Sequence, residues 1–352
     1  MADVISWPGD LATLNRVCTL LRSGKLVGIS TEEGFVGLAD ALNAEAFDRL
    51  ATLAEADVPL ALLLGSAQEI FDWLPTLRGA GIRLARDYWP GPFVLVSRLG
   101  LAQGLAQRLP PAVRERLVRP DGLPVRLPPR DDLVHLLVGA GGPVAMAPLR
   151  EDSRVDVVLD VEPCAPTASV TVAAADERSV RVLRAGSLRP DELASSARSR
   201  VLFVCTGNTC RSPMAGVLCQ RLLADTLGIE VPNLAEHGYE IASAGLAAAD
   251  GEPASLEAVD VANAFGADLR GHASQPLTME LVDRADHLFT MTSGHLRMLQ
   301  SLRLPVGPVP QMLSAGGDDV PDPIGGPLER YQACAEQIRL SLRERLPQIL
   351  EG

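Results

Sequence analysis

A short apolar run followed at once by a cysteine-containing turn constrains the fold of this chain most. Val201-Leu202-Phe203-Val204 is typical of a strand buried on both faces of a parallel sheet. After the turn at residues 205–211, Ser212-Pro213 supplies a favoured N-cap and a favoured first residue for a helix that runs to about Leu227. This strand–turn–helix unit predicts an α/β fold with a ligand site at the turn.

The same alternation of strand and helix continues along residues 200–352. Further strands are predicted at Glu240–Ala244, at His287–Met291 and in the stretch before Gln311, and helices at Pro253–Phe265, Leu277–Arg284, Gly294–Leu302 and Pro327–Leu350. Alternating elements of this kind predict an open parallel sheet flanked by helices.

The rest of the chain forms a second α/β segment. With 352 residues, of which 47% are hydrophobic, the chain is long enough for two folded domains. A small, polar stretch without a hydrophobic period separates them. We therefore predict one domain at 1–190, a linker at 191–199 and a second domain at 200–352.

Composition and charge exclude several classes of protein. No apolar run approaches the ~20 residues that span a membrane, and the first residues do not resemble a secretory signal. Six unevenly spaced cysteines do not make a disulfide framework, so the cytoplasm is the predicted location. The net charge of −12 argues against sequence-independent binding of nucleic acid.

The turn Cys205-Thr206-Gly207-Asn208-Thr209-Cys210-Arg211-Ser212 suits a phosphoryl group. A loop that wraps toward a helix N-terminus directs several backbone N–H groups at one point, and Gly207 lets the backbone come close. The same positive end stabilises a thiolate, so Cys205 is expected to be a nucleophile. Arg211 can hold two phosphoryl oxygens, and the Ser212 hydroxyl can bond the sulfur.

Three other interpretations of this turn are less favoured than the phosphoryl site. A cysteine that ends a buried strand is often only a small core residue. A zinc site from Cys205, Cys210 and Cys219 lacks paired Cys-x-x-Cys spacing and a nearby histidine. A nucleotide P-loop needs Gly-Lys-Ser or Gly-Lys-Thr where this chain has Cys210-Arg211-Ser212.

A thiolate that attacks phosphorus needs an acid to protonate the leaving atom, and one candidate stands near the end of the chain. Asp322 lies between Pro321 and Pro323, which makes its loop stiff. Asp318 and Asp319 compete for the role but lie in a glycine-rich approach that we expect to be flexible. The alternative for the Asp-Pro pair is a simple turn before the last helix.

These residues, in this order, resemble the low-molecular-weight protein phosphatase family. The resemblance covers about residues 199–352. It rests on the motif from Val204 to Ala215 and on Ser243-Ala244-Gly245, His272, Met291-Thr292 and Asp322-Pro323. The family fold is an open parallel sheet flanked by helices. The implied activity is cysteine-dependent hydrolysis of phosphorylated proteins, without a metal or another cofactor.

The resemblance also implies a role for each site residue. Cys205 is the nucleophile that forms a phosphocysteine intermediate, Arg211 clamps the phosphoryl oxygens, and Asp322 is the general acid and then the base. His272 and Ser243 support the loop asparagine. The remaining phosphate-binding loop consists of Thr206, Gly207, Asn208, Thr209, Cys210 and Ser212. Cys210 resembles the family's resolving thiol, which forms a reversible disulfide with the nucleophile.

Two positions bear on the substrate. Thr209 stands where family members that act on phosphotyrosine have a bulky aliphatic residue, and Ile324-Gly325-Gly326 replaces their aromatic residues after Asp-Pro. Both features resemble the protein-arginine phosphatase branch, because a guanidinium needs hydrogen-bond acceptors beside it. We predict phosphoarginine, with phosphotyrosine as the alternative. Arsenate reduction is a third hypothesis, but Cys334 lies on the predicted last helix rather than in a loop.

The first segment resembles the threonylcarbamoyl-AMP synthase (YrdC-like) family. Its strands and stiff turns succeed one another at residues 21–38, Val58–Leu64, Tyr88–Val96, Val125–Pro128, Gly142–Pro148 and Val180–Gly186. Trp89-Pro90-Gly91-Pro92 matches the family best. That family has a twisted α/β fold with a concave nucleotide site, and it condenses threonine, bicarbonate and ATP for tRNA modification.

The ligand motifs of that family are altered here. Ala54–Leu60 carries no cation where the family holds ATP phosphates, and Leu149-Arg150-Glu151 replaces a serine-alanine-asparagine triplet. Losing charge-assisted bonds of ~1.5–3 kcal/mol each predicts an inactive, regulatory or scaffolding domain. The alternative is a bifunctional protein whose synthase still binds nucleotide and serves tRNA, with Thr31, Lys25 and Arg126 as remaining ligand contacts. A non-catalytic module that binds phosphoproteins is the third possibility for the whole chain.

Overall fold

The chain folds into two compact units, Met1–Ala197 and Arg198–Gly352. The structure is a computed structural model that describes residues 2–55, 60–151, 153–162, 167–301 and 309–351. Within these ranges no helix is long and apolar enough to cross a membrane.

The first unit is built on one mixed sheet. Its described strands are β1 (Asp3–Ser6), β2 (Val27–Thr31), β3 (Gly34–Asp40), β4 (Ala61–Leu63), β5 (Phe93–Ser97), β6 (Leu123–Arg126), β7 (Val144–Pro148), β8 (Val157–Asp160), β9 (Thr171–Ala175) and β10 (Val180–Arg184). They lie in the order β1-β8-β2-β3-β7-β4-β6-β5-β9-β10. The described helices are α1 (Leu11–Arg22), α2 (Ala44–Leu53), α3 (Ile70–Trp73), α4 (Ala80–Tyr88), α5 (Pro111–Leu117), α6 (Asp131–Ala140) and α7 (Pro190–Ser196).

The segment predicted as a linker, 191–199, is not an irregular stretch. Helix α7 occupies most of it, with a proline at the first helical position and Leu193 fully buried. The Glu192 carboxylate accepts the Arg189 backbone N–H at 3.2 Å, which closes the start of the helix. A single anchoring leucine gives too weak a period to be recognised in a polar stretch. The two units therefore divide after this helix rather than at residue 190.

The predicted strand Val58–Leu64 is only partly described. Residues 58 and 59 lie outside the described ranges, and the observed strand is β4 at Ala61–Leu63. Residues 56–59 of the stretch Ala54–Leu60, which carries no cation for ATP phosphates, also lie outside the described ranges.

The second unit confirms the predicted open parallel sheet with flanking helices. Its described strands are β11 (Ser199–Cys205), β12 (Tyr239–Gly245), β13 (His287–Thr290) and β14 (Gln311–Met312), in the order β12-β11-β13-β14 and all parallel. The described helices are α8 (Arg211–Leu227), α9 (Leu256–Ala264), α10 (Met279–Arg284), α11 (Ser293–Ser301) and α12 (Leu328–Glu351). The strand predicted before Gln311 falls on residues 302–308, outside the described ranges, as does Leu302 at the predicted end of α11.

Strand β11 is the central support of this unit, and its continuous apolar sequence has a direct physical reason. Val201 and Phe203 pack into the core formed with α8, α9 and α12, while Leu202 and Val204 pack into the core on the opposite face. Fully burying such side chains contributes ~1.5–3 kcal/mol each. This double burial fixes the strand and places Cys205 at its carboxyl end.

Candidate active site

The loop between β11 and α8 folds back over the end of its own strand. Asn208 is the one described non-glycine residue with a positive φ, 55°, and it is completely buried. Asparagine tolerates this left-handed conformation better than most residues. The loop therefore turns sharply at Asn208, and its backbone N–H points back to the Cys205 sulfur at 3.2 Å.

The Asn208 side chain holds this turn through a complete set of hydrogen bonds. Its Nδ2 donates to Ser212 Oγ and to Ser243 Oγ, both at 2.9 Å. Its Oδ1 accepts the Gln275 backbone N–H at 2.9 Å. The Asn208 carbonyl lies 2.7 Å from His272 Nε2, which must carry the proton because a carbonyl only accepts. The structure thus brings Ser243 and His272 together around the loop asparagine.

The Cys205 thiol is placed among donors. It is 2% exposed, and its sulfur lies 2.9 Å from Ser212 Oγ in addition to the Asn208 contact. The N-terminus of the 17-residue helix α8 adds a partial positive charge nearby. By contrast, burial raises the pKa of the Cys219 and Cys334 thiols to about 12, which leaves both protonated at neutral pH.

Ser212 does not act as the helix N-cap, contrary to the sequence-based expectation. Helix α8 begins at Arg211 and Cys210 occupies the capping position. The Ser212 hydroxyl faces Cys205 and also lies 3.3 Å from the Ala244 carbonyl. Because Asn208 donates to its oxygen, the single hydroxyl hydrogen can be donated to the sulfur or to the Ala244 carbonyl. The predicted N-cap role of Ser212 is therefore wrong, whereas its predicted contact with the sulfur is present in the structure.

Close approach of two backbone segments requires a glycine at Gly245. A Cβ at Gly245 would lie 2.6 Å from the Thr206 carbonyl oxygen and 3.0 Å from the Asn208 nitrogen. At Gly207 it would meet only Thr209 Oγ1, at 3.8 Å. The end of β12 therefore has to be glycine for the loop to pack against it.

Arg211 and Asp322 lie side by side, although 111 residues separate them in the sequence. Arg211 Nη2 bonds Asp322 Oδ2 at 2.5 Å, and Nη1 lies 3.4 Å from the Val320 carbonyl. The guanidinium is 6% exposed and the carboxylate 44%. A buried cation at the helix start and a half-exposed carboxylate above it are thus placed for a ligand that enters from solvent.

The approach to Asp322 is tied down rather than loose. Asp319 Oδ1 accepts the Ser293 backbone N–H at 2.6 Å at the start of α11, and Ser314 Oγ accepts the Asp318 N–H at 3.3 Å. The Val320 N–H bonds the Met291 carbonyl. Asp319 therefore bonds the start of α11, and hydrogen bonds hold the segment that the glycine-rich sequence led us to expect to be flexible.

Cys210 is buried and contacts side chains outside the loop. Its sulfur lies 3.4 Å from Ser255 Oγ and 3.7 Å from Tyr331 Oη, and it forms no disulfide here. Sequence reasoning missed Ser255, Tyr331 and His295, since none belongs to a local pattern with the loop. Elsewhere in the described residues, no group of three or more His, Cys, Asp or Glu side chains is arranged to hold a metal ion.

The candidate ligand contacts of the first unit serve its own structure. The buried Arg126 guanidinium forms a two-bond ion pair with the Glu33 carboxylate, at 2.6 and 2.5 Å. The Thr31 hydroxyl accepts the Glu33 N–H at 3.2 Å within the β2–β3 turn, and Lys25 is exposed.

Comparison with known proteins finds a family model that matches part of each unit. The family model "Low molecular weight phosphotyrosine protein phosphatase" matches residues 200–351. A model of the Sua5, YciO and YrdC proteins, described as "Telomere recombination", matches residues 19–149. Both resemblances drawn from the sequence are thereby confirmed.

Three curated relatives align with the second unit. A protein-arginine-phosphatase of Geobacillus stearothermophilus is 38% identical over 157 residues, which are 43% of this chain and 96% of the relative. A protein-arginine-phosphatase of Bacillus subtilis is 33% identical over 153 residues, which are 42% of this chain and 95% of the relative. A probable low molecular weight protein-tyrosine-phosphatase of Ralstonia nicotianae is 33% identical over 151 residues, which are 42% of this chain and 94% of the relative.

Proposed function

Because the chain belongs to the low molecular weight protein phosphatase family through residues 200–351, we propose that this phosphatase hydrolyses phosphoarginine in proteins. The observation that carries the proposal is the convergence of the Asn208 N–H, the Ser212 hydroxyl and the helix start on the Cys205 sulfur, with Arg211 as the first residue of that helix. These groups stabilise a thiolate and the charge of a transferring phosphoryl group.

The geometry supports a two-step reaction. In the first step the Cys205 thiolate attacks phosphorus, the bond from phosphorus to the guanidino nitrogen breaks, and protonated Asp322 gives its proton to that nitrogen. In the second step Asp322, now a carboxylate, takes a proton from water as the water oxygen attacks phosphorus. The sulfur–phosphorus bond breaks, and inorganic phosphate and the thiolate are released. Arg211 and the loop N–H groups hold the phosphoryl oxygens throughout.

The preference for phosphoarginine is supported by Thr209 and Ile324. Thr209 is half-buried at the loop, and its hydroxyl offers an acceptor for a guanidinium N–H. Ile324 is 64% exposed, so the residue after Asp322-Pro323 supplies no aromatic wall for a phenyl ring. Two of the curated relatives are named protein-arginine-phosphatases, whereas the Ralstonia relative keeps phosphotyrosine as the alternative substrate.

We expect wild-type protein to hydrolyse a phosphoarginine peptide with a higher kcat/KM than a phosphotyrosine peptide of matched sequence. Thr209→Ile should lower the ratio of the two values by about 10- to 100-fold, because the guanidinium N–H groups lose an acceptor. Both values are measured from phosphate release at several peptide concentrations.

The matched control for this substitution is Thr226→Ile, which changes an exposed threonine of α8 whose hydroxyl bonds only the Leu222 carbonyl. This variant should keep the wild-type ratio. If the Thr209→Ile protein kept the wild-type ratio, Thr209 would not determine the preference between the two substrates.

For the first unit we propose a regulatory or scaffolding role without synthase activity. Arg126 is occupied by Glu33, and Leu149, at the start of the altered triplet, is buried in the core.

Purified protein incubated with ATP, threonine and bicarbonate is therefore expected to form no threonylcarbamoyl-AMP. Chromatographic detection of the product, with an active synthase as positive control, measures this. Product formed above the no-enzyme background would establish the bifunctional alternative.

Phosphorylated proteins are the proposed partners of the second unit, and the cytoplasm is the proposed compartment. All five cysteines within the described ranges are free thiols, which fits a reducing environment.

A further inference from the structure

Two side chains between Cys205 and Arg211 are not buried. Between Cys205 and Arg211, Gly207 has no side chain, and Asn208 and Cys210 are buried. This leaves Thr206, which is exposed, and Thr209, which is half-buried. Thr206 directly follows the nucleophile in the sequence, and its side chain is the more exposed of the two.

The Thr206 hydroxyl is held by a histidine from another element. Thr206 Oγ1 lies 2.9 Å from Nε2 of His295, which belongs to α11 and is 9% exposed. The His295 backbone N–H bonds Thr292 Oγ1, and Asp319 fixes the start of the same helix through Ser293. The imidazole is therefore rigidly placed against the loop.

The imidazole is neutral at physiological pH. Burial lowers the pKa of His295, and the nearby Arg211 guanidinium lowers it further, while Asp322 and Asp319 oppose the shift. His295 Nδ1 is buried and has no partner among the described residues. A proton on Nδ1 would be a buried donor without an acceptor, whereas a proton on Nε2 is donated to Thr206.

We propose that Thr206, oriented by His295, is a second determinant of the preference for phosphoarginine. The proposal rests on the phosphoarginine activity argued above. When His295 Nε2–H donates to one lone pair of Thr206 Oγ1, the other lone pair is left to accept a guanidinium N–H of the substrate. A phenyl ring has no N–H group to use this acceptor, so the contact favours phosphoarginine selectively. Thr206 contacts the substrate, and His295 is a positioning residue.

The test compares kcat/KM for phosphoarginine and phosphotyrosine peptides of matched sequence. Thr206→Val removes the hydroxyl at almost constant volume, and His295→Phe removes the donor but keeps a buried ring. Each should lower the phosphoarginine-to-phosphotyrosine ratio by about 3- to 10-fold, the effect of one hydrogen bond. His295→Gln keeps an amide N–H donor and should restore most of the ratio.

A double variant distinguishes positioning from independent effects. Because His295 acts through Thr206, Thr206→Val/His295→Phe should lower the ratio no further than Thr206→Val alone. Inhibition by inorganic phosphate reports whether the loop still binds an oxyanion, and its constant should stay within about 3-fold of wild type. The control His237→Phe changes an exposed histidine whose ring bonds only a neighbouring carbonyl, and it should keep the wild-type ratio.

The outcomes separate this inference from the proposed function. Wild-type protein that fails to hydrolyse phosphoarginine would overturn both. If wild-type protein prefers phosphoarginine, two results would overturn only the role of Thr206 and His295. One is an equal loss of activity on both substrates in the variants, and the other is a fully additive loss in the double variant. A His295→Gln protein as impaired as His295→Phe would do the same, since the donor would then not matter.

Discussion

Replacement of Cys205 by serine is expected to lower the hydrolysis of a phosphoarginine peptide by at least ~10⁴-fold, because the covalent route loses its nucleophile. A serine hydroxyl stays protonated where a thiol can ionise, and the donors on Asn208 and Ser212 are placed to stabilise an anion rather than to remove a proton. Substrate binding should change much less, since Arg211 and the loop N–H groups remain. The measurement is kcat and KM from phosphate release.

A matched cysteine control is available in the same unit. Cys219 is fully buried in α8, so Cys219→Ala should alter stability slightly and leave kcat near the wild-type value. Rapid acid quenching should trap phosphoenzyme in wild-type protein and in the control but not in Cys205→Ser. Hydrolysis by Cys205→Ser within tenfold of wild type, or trapped phosphate on another residue, would exclude the proposed intermediate.

Arg211→Lys is expected to lower kcat by about 10³-fold, in the range measured for arginine groups that stabilise transferring phosphoryl groups. A lysine carries the same charge but cannot bond two phosphoryl oxygens with a planar fork. It also cannot contact Asp322 and the Val320 carbonyl at once, as Nη2 and Nη1 of Arg211 do. The loss should fall on kcat more than on KM, because the contact strengthens in the transition state.

The appropriate comparison is Arg221→Lys, on the same helix. Arg221 is exposed and bonds Asp225 one turn away, so its replacement should leave kcat unchanged. If Arg211→Lys kept more than a tenth of wild-type kcat, the clamp would have to be assigned to the loop N–H groups alone.

Local patterns in the sequence predicted the framework well. The continuous apolar run at 201–204 identified the central strand because both faces of β11 are buried. The alternation of strands and helices that follows this run predicted the parallel sheet. The loop motif predicted Cys205 and Arg211 as site residues, and the flanking prolines indicated Asp322. The structure places Asp322 beside Arg211.

The contacts that refine the site were not predictable, because they join distant parts of the chain. His295 reaches Thr206 across 89 residues, and Tyr331 reaches Cys210 across 121. Only the packing of α11 and α12 against the sheet creates these neighbours. The same holds for Gly245, which is restricted by the carbonyl of a loop on the adjacent strand. The amphipathic signal of α7 was weak for a simpler reason, since one buried leucine anchors it.

The long sequence separation within the site has a consequence for synthesis on the ribosome. The nucleophile lies on the first strand of its unit, whereas the loop that pairs with Arg211 follows more than a hundred residues later. Until that segment has left the exit tunnel, Arg211 lacks both Asp322 and the Val320 carbonyl. The unit therefore gains its catalytic arrangement late, and chains that stop prematurely are released without it.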